Sequence, residues 1–368
     1  MKYVDWAWDS TNDAELVPLR QHEFDGRAVL PAAAMLGLLA STSLAGGGLA
    51  SGSQALAGVV RLSILSRVEI PPTPATDGVT TTPSLRLQLA YDADKAGAFD
   101  LYLVSQPGDA PVKCAAGQLV VGANVEQQQH SLALTLADAK ALCQRSIDAG
   151  LLYDNLHAGG LHYGPLFRCV RALWAAAKSE SESELPSALL SRIQVPEDPM
   201  VPSSSAVPPA WVVDACLHTA GGFFLDDEPR RTFLPIEFEG FHLQHPFTVK
   251  PGQSLWCLHQ RVFPAASEDY DAPLNTVQVT VFADDGQVLL TIDKYTSKEV
   301  RPESAAGRLV YDSAWEELAL GRGTDVEPLT SDEPEPGSIR LAFVDSQGTC
   351  RSVLDEMQRS RPTRCVQL

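Results

Sequence analysis

Apolar and polar positions alternate along "LRLQLAYDA", "FDLYLVSQ" and "AAGQLVVG", and a period of two predicts strands across residues 60 to 125. "DGVTTTP" and "QPGDAP" between them have turn composition. "TLADAKALCQR" then predicts a helix with Thr135 as its N-cap, and "DAGLLYDNLHAGG" a second helix closed by Gly159 and Gly160. Strand patterns return in "FRCVRALWAAAK", "ALLSRIQV", "EGFHLQHP", "SLWCLHQRVF", "NTVQVTVFAD" and "VLLTIDKYTS". "SESESEL" is a solvated turn, and "VPEDPMVPSSSAVPPA" an irregular loop.

Two segments break the alternation. "PAAAMLGLLA", opening at Pro31, has no polar side chain in ten residues, and "WVVDACLHTAGGFFL" is nearly as apolar. Each predicts a helix, around 31–42 and 211–225, that must be covered on all sides. A curled antiparallel sheet wrapped around the helix does this and a flat face does not, so the pattern predicts two similar α+β units side by side.

Composition narrows the picture. The chain has 368 residues, room for two or three domains, and its formal net charge of −18 makes nucleic acid and anionic membrane poor partners. Seven cysteines without a C-x-x-C pair point to a reducing, cytoplasmic setting. "MKYVDWAWDSTND" lacks the basic start and apolar stretch of a signal peptide, and the run from Pro31 is too short to span a membrane. From about residue 301 the composition changes. "DVEPLTSDEPEPGS" is an acidic, Pro-rich linker, followed by a strand–turn–helix–strand pattern that begins a βαβ unit.

The candidate chemistry gathers at the two apolar segments. His22 precedes the first helix start, where Pro31 suits position N1 and the amides of Ala32 to Ala34 point outward without partners. Such a positive helix end suits a carbonyl oxygen gaining negative charge. Gly26 allows the tight turn that returns His22 beside it. The alternative is a loop histidine near a buried helix. On the second segment Asp214 and His218 share one helix face. Burial there would raise the Asp214 pKa, so that it holds a proton at neutral pH and donates it to a leaving hydroxyl. The alternative is a structural Asp–His hydrogen bond. A base and an acid on two equivalent elements fit one active site shared by both units.

"HEFDGRAVLP" (22–31) has the spacing H-x-x-x-G-x-x-x-x-P, "GLHYGPLF" (160–167) is G-x-x-Y-G-P-x-F, "DACLH" (214–218) is D-x-x-x-Q/H, and "LPIEFEG" (234–240) follows. These four motifs, in this order, resemble the dehydratase domains of modular type I polyketide synthases. The resemblance implies an α+β double hot-dog fold, two antiparallel sheets each wrapped around a long helix. The halves would span 1–130 and 147–300, with a linker helix at 131–146. It implies dehydration of a β-hydroxyacyl thioester carried on the phosphopantetheine arm of an acyl carrier protein. His22 is then the base and Asp214 the acid, His218 orients Asp214 or the hydroxyl, Tyr163 hydrogen-bonds near the acid, and Gly164 and Pro165 shape the pocket wall. Neighbouring synthase domains are implied partners, with a homodimer left open.

Two positions depart from the family pattern: Ala32 stands where glycine is usual after the motif proline, and Gln21 where many relatives have aspartate. The tail at 301–368 opens with "GRLVYDSAW", which resembles the start of a structural ketoreductase subdomain. It lacks G-x-G-x-x-G, so it is expected to bind no cofactor and to be a domain fragment or a brace. Alternatives to simple dehydration are a dehydratase that also closes an oxygen heterocycle, an aldol cyclase like the product-template domains, and a non-catalytic scaffold. His130, His157, His162, His242, His245 and His259 sit in strand or loop contexts without metal-ligand spacing, so no metal is expected, and no cofactor beyond the carrier's arm. Arg27, Arg168 and Arg171 are candidates for docking an acidic carrier.

Overall fold

Both apolar runs are helices, and both are buried. The computed structural model describes residues 2–9, 16–46, 57–72, 84–92, 97–104, 110–120, 134–177, 186–197, 207–225, 231–243, 247–262 and 274–300. All lie within the compact unit Met1–Gly307. The tail expected from residue 301, His130 and His245 lie outside the described residues.

In chain order the elements are β1 (Lys2–Asp9), α1 (Leu16–Leu19), β2 (His22–Phe24), β3 (Arg27–Ala28), α2 (Ala32–Gly46), β4 (Ala57–Ile64), β5 (Ser84–Asp92), β6 (Ala98–Leu103) and β7 (Val112–Leu119). Then come α3 (Leu136–Leu142), β8 (Arg145–Ile147), α4 (Ala149–Ala158), β9 (Leu161–Tyr163), β10 (Val170–Ala175), β11 (Ala188–Gln194) and α5 (Ala210–His218). A 3-10 segment (Thr219–Phe224), β12 (Thr232–Leu243), β13 (Ser254–Arg261), β14 (Leu274–Ala283) and β15 (Val288–Val300) complete the list.

The long strands form one antiparallel sheet in the order β1-β5-β6-β7-β4-β12-β15-β14-β13-β11-β10-β8. Its first five strands serve α2 and the other seven serve α5. The halves meet edge to edge where β4 pairs with β12, from Ala57↔Leu243 to Ser63↔Glu237. The two predicted units are therefore continuous, and one hydrophobic core runs through both, from Leu36 and Leu39 on α2 to Val212 and Cys216 on α5. Each half-sheet is closed to solvent on its helix side, where mostly apolar side chains are needed.

The second apolar run is shorter as an α-helix than expected. It is α-helical only to His218 and continues as the 3-10 turn. The 3-10 turn contains Gly221 and Gly222, where an added Cβ would lie 3.0 Å from Leu152 Cδ1 and 2.8 Å from Leu173 Cδ2. Glycine lets the chain press onto α4 and β10 there. Both central helices begin after a proline, and neither Pro31 nor Pro209 can offer a capping side chain.

The helix over 136–142 forms as expected. Thr135 accepts from the Asp138 amide, while Asp138 accepts from the Thr135 amide, a reciprocal capping box. Leu136, Ala139 and Cys143 pack on Leu190, Leu258 and Phe282, the side of β11, β13 and β14 opposite to α5. The pleat explains it: Leu189 points to the core and Leu190 to α3. The edge strand β1 was not anticipated from sequence. It pairs with β5 over its whole length, and "KYVDWAWD" does alternate, with Val4, Trp6 and Trp8 turned to the core and Tyr3, Asp5 and Ala7 exposed. Among the described residues no helix is long and apolar enough to cross a membrane.

Gly117 in β7 pairs with Leu62, just beyond the irregularity of β4 between Val59 and Arg61, and a Cβ there would lie 1.9 Å from the Arg61 carbonyl oxygen. Backbone cannot yield as a side chain does. Gly117→Ala is expected to lower unfolding free energy by about 1–3 kcal/mol, or more, measured by urea denaturation; unchanged stability would mean that the β4–β7 approach is looser than described.

Candidate active site

His22 opens β2, the first strand of a small second sheet, β3-β2-β9, that the sequence pattern did not reveal. β2 and β3 form a hairpin whose two-residue turn is Asp25 (φ 51°) and Gly26 (φ 74°). Positive φ at both positions is the type I′ turn that Asp-Gly favours. The expectation for Gly26 is met as regards the turn, but Gly26 does not reach the cavity described below. The hairpin folds Val29 back on His22: the Val29 amide donates to the His22 carbonyl at 2.9 Å, and His22 Nδ1 donates to the Val29 carbonyl at 2.9 Å. With Nδ1 carrying the proton, Nε2 presents its lone pair.

β2 also pairs with β9, placing His22 opposite Tyr163 and Phe24 opposite Leu161. The first two motifs are thus adjacent strands contributed by different halves. Gln21 extends the joint. Its carbonyl accepts from the Gly164 amide at 2.8 Å, and its Oε1 accepts from the Leu166 amide at 3.0 Å. A Cβ on Gly164 would lie 2.5 Å from Gln21 Oε1, so glycine is needed for this approach. Gly164 and Pro165 therefore do not shape the pocket wall as expected. They form the turn that Gln21 grips, outside the cavity lining.

Asp214 and His218 project from one face of α5, and His218 Nε2 donates to Asp214 Oδ2 at 2.7 Å. His22 Nε2 lies 3.9 Å from the same oxygen. His22, Asp214 and His218 are 9%, 5% and 6% exposed, so this charged cluster is almost dry. Tyr163 meets it through its ring, 4.1 Å from the His218 ring and 5.4 Å from that of His22. Among the described residues its hydroxyl makes no hydrogen bond to Asp214, which corrects the expected contact. Tyr153 supports the arrangement by donating to the Phe167 carbonyl (3.4 Å) and accepting from the Val170 amide (3.0 Å).

Burial pushes the His22 pKa below its usual value, and the nearby Asp214 only partly offsets that. Asp214 behaves otherwise than expected. Desolvation alone would raise its pKa, but the charge and hydrogen bond of His218, with the nearness of His22, outweigh it and hold the carboxyl below its usual value. Asp214 is therefore ionised at rest rather than protonated. His218 Nδ1 is buried without a partner among the described residues.

The start of α2 also differs in detail. Pro31 is the N-cap rather than N1: its carbonyl accepts from the amides of Ala34 (2.9 Å) and Met35 (3.4 Å). The chain stays extended to that point because the Leu30 amide is bound to the Val68 carbonyl at 2.8 Å. The amides of Ala32 and Ala33 remain as the free helix-start donors among the described residues, and Ala32 lines the cavity.

These groups line a cavity of about 160 Å³ between the halves, otherwise walled mainly by apolar side chains such as Met35, Leu217 and Phe224. Sequence reasoning missed several lining residues. Arg67 pairs with Glu69 at 3.1 Å, Arg231 pairs with Glu299 at 3.1 Å, and Tyr295 stacks on Phe238 at 5.1 Å. Asn155 on α4 was also missed, because a polar residue between Asp154 and His157 reads as helix surface. The three docking candidates do not line the cavity: Arg168 and Arg171 are exposed, and Arg27 is held bidentately by Glu69.

Residues 131–307 match the family described as polyketide synthase dehydratase N-terminal domain. This segment belongs to the polyketide synthase dehydratase family. Solved structures share the fold. The dehydratase domain from the CurJ module of the curacin polyketide synthase is 18% identical, with a TM-score of 0.62 over 81% of this chain and 91% of that one. A trans-AT dehydratase domain from Brevibacillus brevis is 16% identical, with a TM-score of 0.62 over 82% and 94%. Two inactive mutants of the CurK dehydratase, one His-to-Phe and one Asp-to-Asn, are each 16% identical. The first has a TM-score of 0.57 over 80% of this chain and 90% of that one; the second has 0.58 over 81% and 91%. The fold is accordingly the α+β double hot-dog. The dehydratase segment carries Tyr163, Asp214 and His218, whereas His22 lies outside it and arrives through the β2–β9 pairing.

The His22 imidazole is expected to titrate below 6.5, followed by its ring-proton NMR shift. Asp214→Asn removes the neighbouring negative charge and is expected to move that midpoint further down. An upward move would show that the two groups do not face each other.

Proposed function

We propose that the protein dehydrates a β-hydroxyacyl thioester, presented on the phosphopantetheine arm of an acyl carrier protein, to the α,β-unsaturated thioester during polyketide elongation. The observation that carries this reading is the 3.9 Å separation of His22 Nε2 and Asp214 Oδ2, from opposite halves, in one nearly dry cavity. That spacing suits two groups acting on neighbouring carbons of one chain. The inactive His-to-Phe and Asp-to-Asn forms of the CurK dehydratase support the same pair of residue types.

The chemistry follows from the resting charges. The thioester carbonyl accepts from the Ala32 and Ala33 amides, which favour the negative charge that develops as the α-proton leaves. His22 Nε2 takes that proton. The ionised Asp214 accepts a hydrogen bond from the β-hydroxyl and faces the new imidazolium. The proton passes through Asp214 to the departing oxygen, so the α-hydrogen and the β-hydroxyl leave together as water. No electron is exchanged, and the step calls for neither metal nor redox cofactor. His218 is a positioning residue, holding Asp214 from behind.

The carrier and neighbouring synthase domains are the proposed partners. A chain with net charge −18 repels an acidic carrier over long range, so docking needs local cations. The exposed Arg168 and Arg171 fit that role better than Arg27, whose charge Glu69 offsets.

His22→Ala and Asp214→Asn are each expected to lower kcat/KM for β-hydroxyacyl pantetheine thioesters by about 10²–10⁴-fold with the circular dichroism spectrum retained. Near-wild-type turnover in either variant would remove that residue from the reaction. The base must be neutral, and burial keeps His22 neutral to lower pH than usual. The acidic limb of kcat/KM against pH is therefore expected below 6.5. A limb well above that value would point to a different base.

A further inference from the structure

Asn155 is 4% exposed, lies on the same cavity as His22 and Asp214, and has a side-chain carbonyl oxygen with no hydrogen-bond partner among the described residues. Nothing in the dehydration step above uses it. Its position is fixed on both sides. α4 starts with Asp148 capping the Gly150 amide at 2.8 Å, and ends at Gly159, where a Cβ would lie 1.6 Å from Thr232 Oγ1. Leu152 and Leu156 pack where Gly221 makes room for them. The helix cannot turn Asn155 out to solvent without breaking these contacts. The same cavity is lined by Leu156, Leu217, Ala220, Phe224 and Phe233, and also by Arg231 and Thr232, neither of which donates to Asn155 Oδ1.

A buried carboxamide oxygen left unpaired costs about 1–3 kcal/mol, and leucine, nearly the same size, would fill the position without that cost. The group is best explained by a ligand that supplies the missing donor. A hydroxyl does this at one atom, since it can donate to Oδ1 and also accept from Nδ2, which suits a cavity this narrow. A secondary amide of the pantetheine arm offers a donor too, but its own carbonyl then lies elsewhere on an apolar wall. We propose that Asn155 is a specificity-determining residue that recognises a second hydroxyl on the acyl chain, beyond the β-carbon. The inference rests on the dehydratase reading for the nature of the chain, and on the cavity alone for the presence of a polar subsite.

The test measures binding without turnover, in the protein silenced by Asp214→Asn. It uses calorimetric titration with β-hydroxyoctanoyl pantetheine and with analogues bearing a second hydroxyl on the δ, ε or ζ carbon. At least one analogue is expected to bind about tenfold or more tightly than the plain thioester, and adding Asn155→Leu or Asn155→Ala is expected to abolish that ratio. Equal affinities for all four ligands overturn the proposal, as does a preference that survives both substitutions. A loss common to all pantetheine thioesters, absent with S-ethyl thioesters, assigns the amide to the arm and overturns the acyl-chain assignment. Asn155→Leu is also expected to keep or raise Tm; a marked fall would make the side chain structural and overturn its role in recognition. Turnover is followed separately in the wild-type chain. If no thioester loses water there, the dehydratase reading fails, while the affinity ratio still decides the role of Asn155.

Discussion

Three residue pairs between β2 and β9 hold the candidate site together. The large sheet already joins the two halves through β4 and β12, the strand that carries "LPIEFEG", but that seam leaves the loop bearing His22 unspecified. The β2–β9 pairing removes that freedom. It sets His22 opposite Tyr163, whose ring lies against His218, and His218 in turn holds Asp214. Gln21 adds two hydrogen bonds on the far side of Tyr163, so the histidine is bounded on one side by a tight hairpin and on the other by the Gly164 turn. A misplacement of 1 Å in such a group is costly to catalysis, and a short strand pair supplies rigidity that a free loop lacks.

Burial and pairing pull the ionisable groups in different directions. An isolated carboxylate in this cavity would take up a proton, and an isolated imidazole would lose one. His22 follows the second rule. Asp214 does not follow the first, because His218 stands 2.7 Å away and satisfies the charge. The result is a proton acceptor at His22 beside an ionised carboxylate at Asp214. In the proposed reaction the carboxylate would become an acid only while a proton is in transit, and the α-carbon would supply what the leaving oxygen needs.

The cavity is apolar except where it does something. Its polar lining includes the start of α2, the His22–Asp214–His218 cluster, Tyr163, Tyr295, Ser66, Thr232, Ser297, the arginines paired to Glu69 and Glu299, and Asn155. Of the buried side-chain oxygens in that lining, Asn155 Oδ1 has no hydrogen-bond partner among the described residues. The proposed reaction gives the α2 amides a use. It gives Asn155 none, which is why its partner is sought in a ligand.

Much of this was legible in the residues. The two apolar runs announced helices that needed covering all round, and alternation located most long strands, because both patterns are consequences of local geometry. Four motifs pointed to the proposed acid, the proposed base and their neighbours, since chemistry dictates residue type. The rest depended on contacts between distant segments. Three-residue strands such as β2 and β9 are too short to show a period. Whether Asp214 holds a proton turned on how closely His218 and His22 approach it. The wall positions of Tyr163 and Asn155, and the place of Gly164 outside the lining, likewise followed from packing between distant segments. Sequence determined which groups were available and which helices had to be buried; only the folded chain decided which of those groups share a dry space, because proximity between halves is a property of neither half alone.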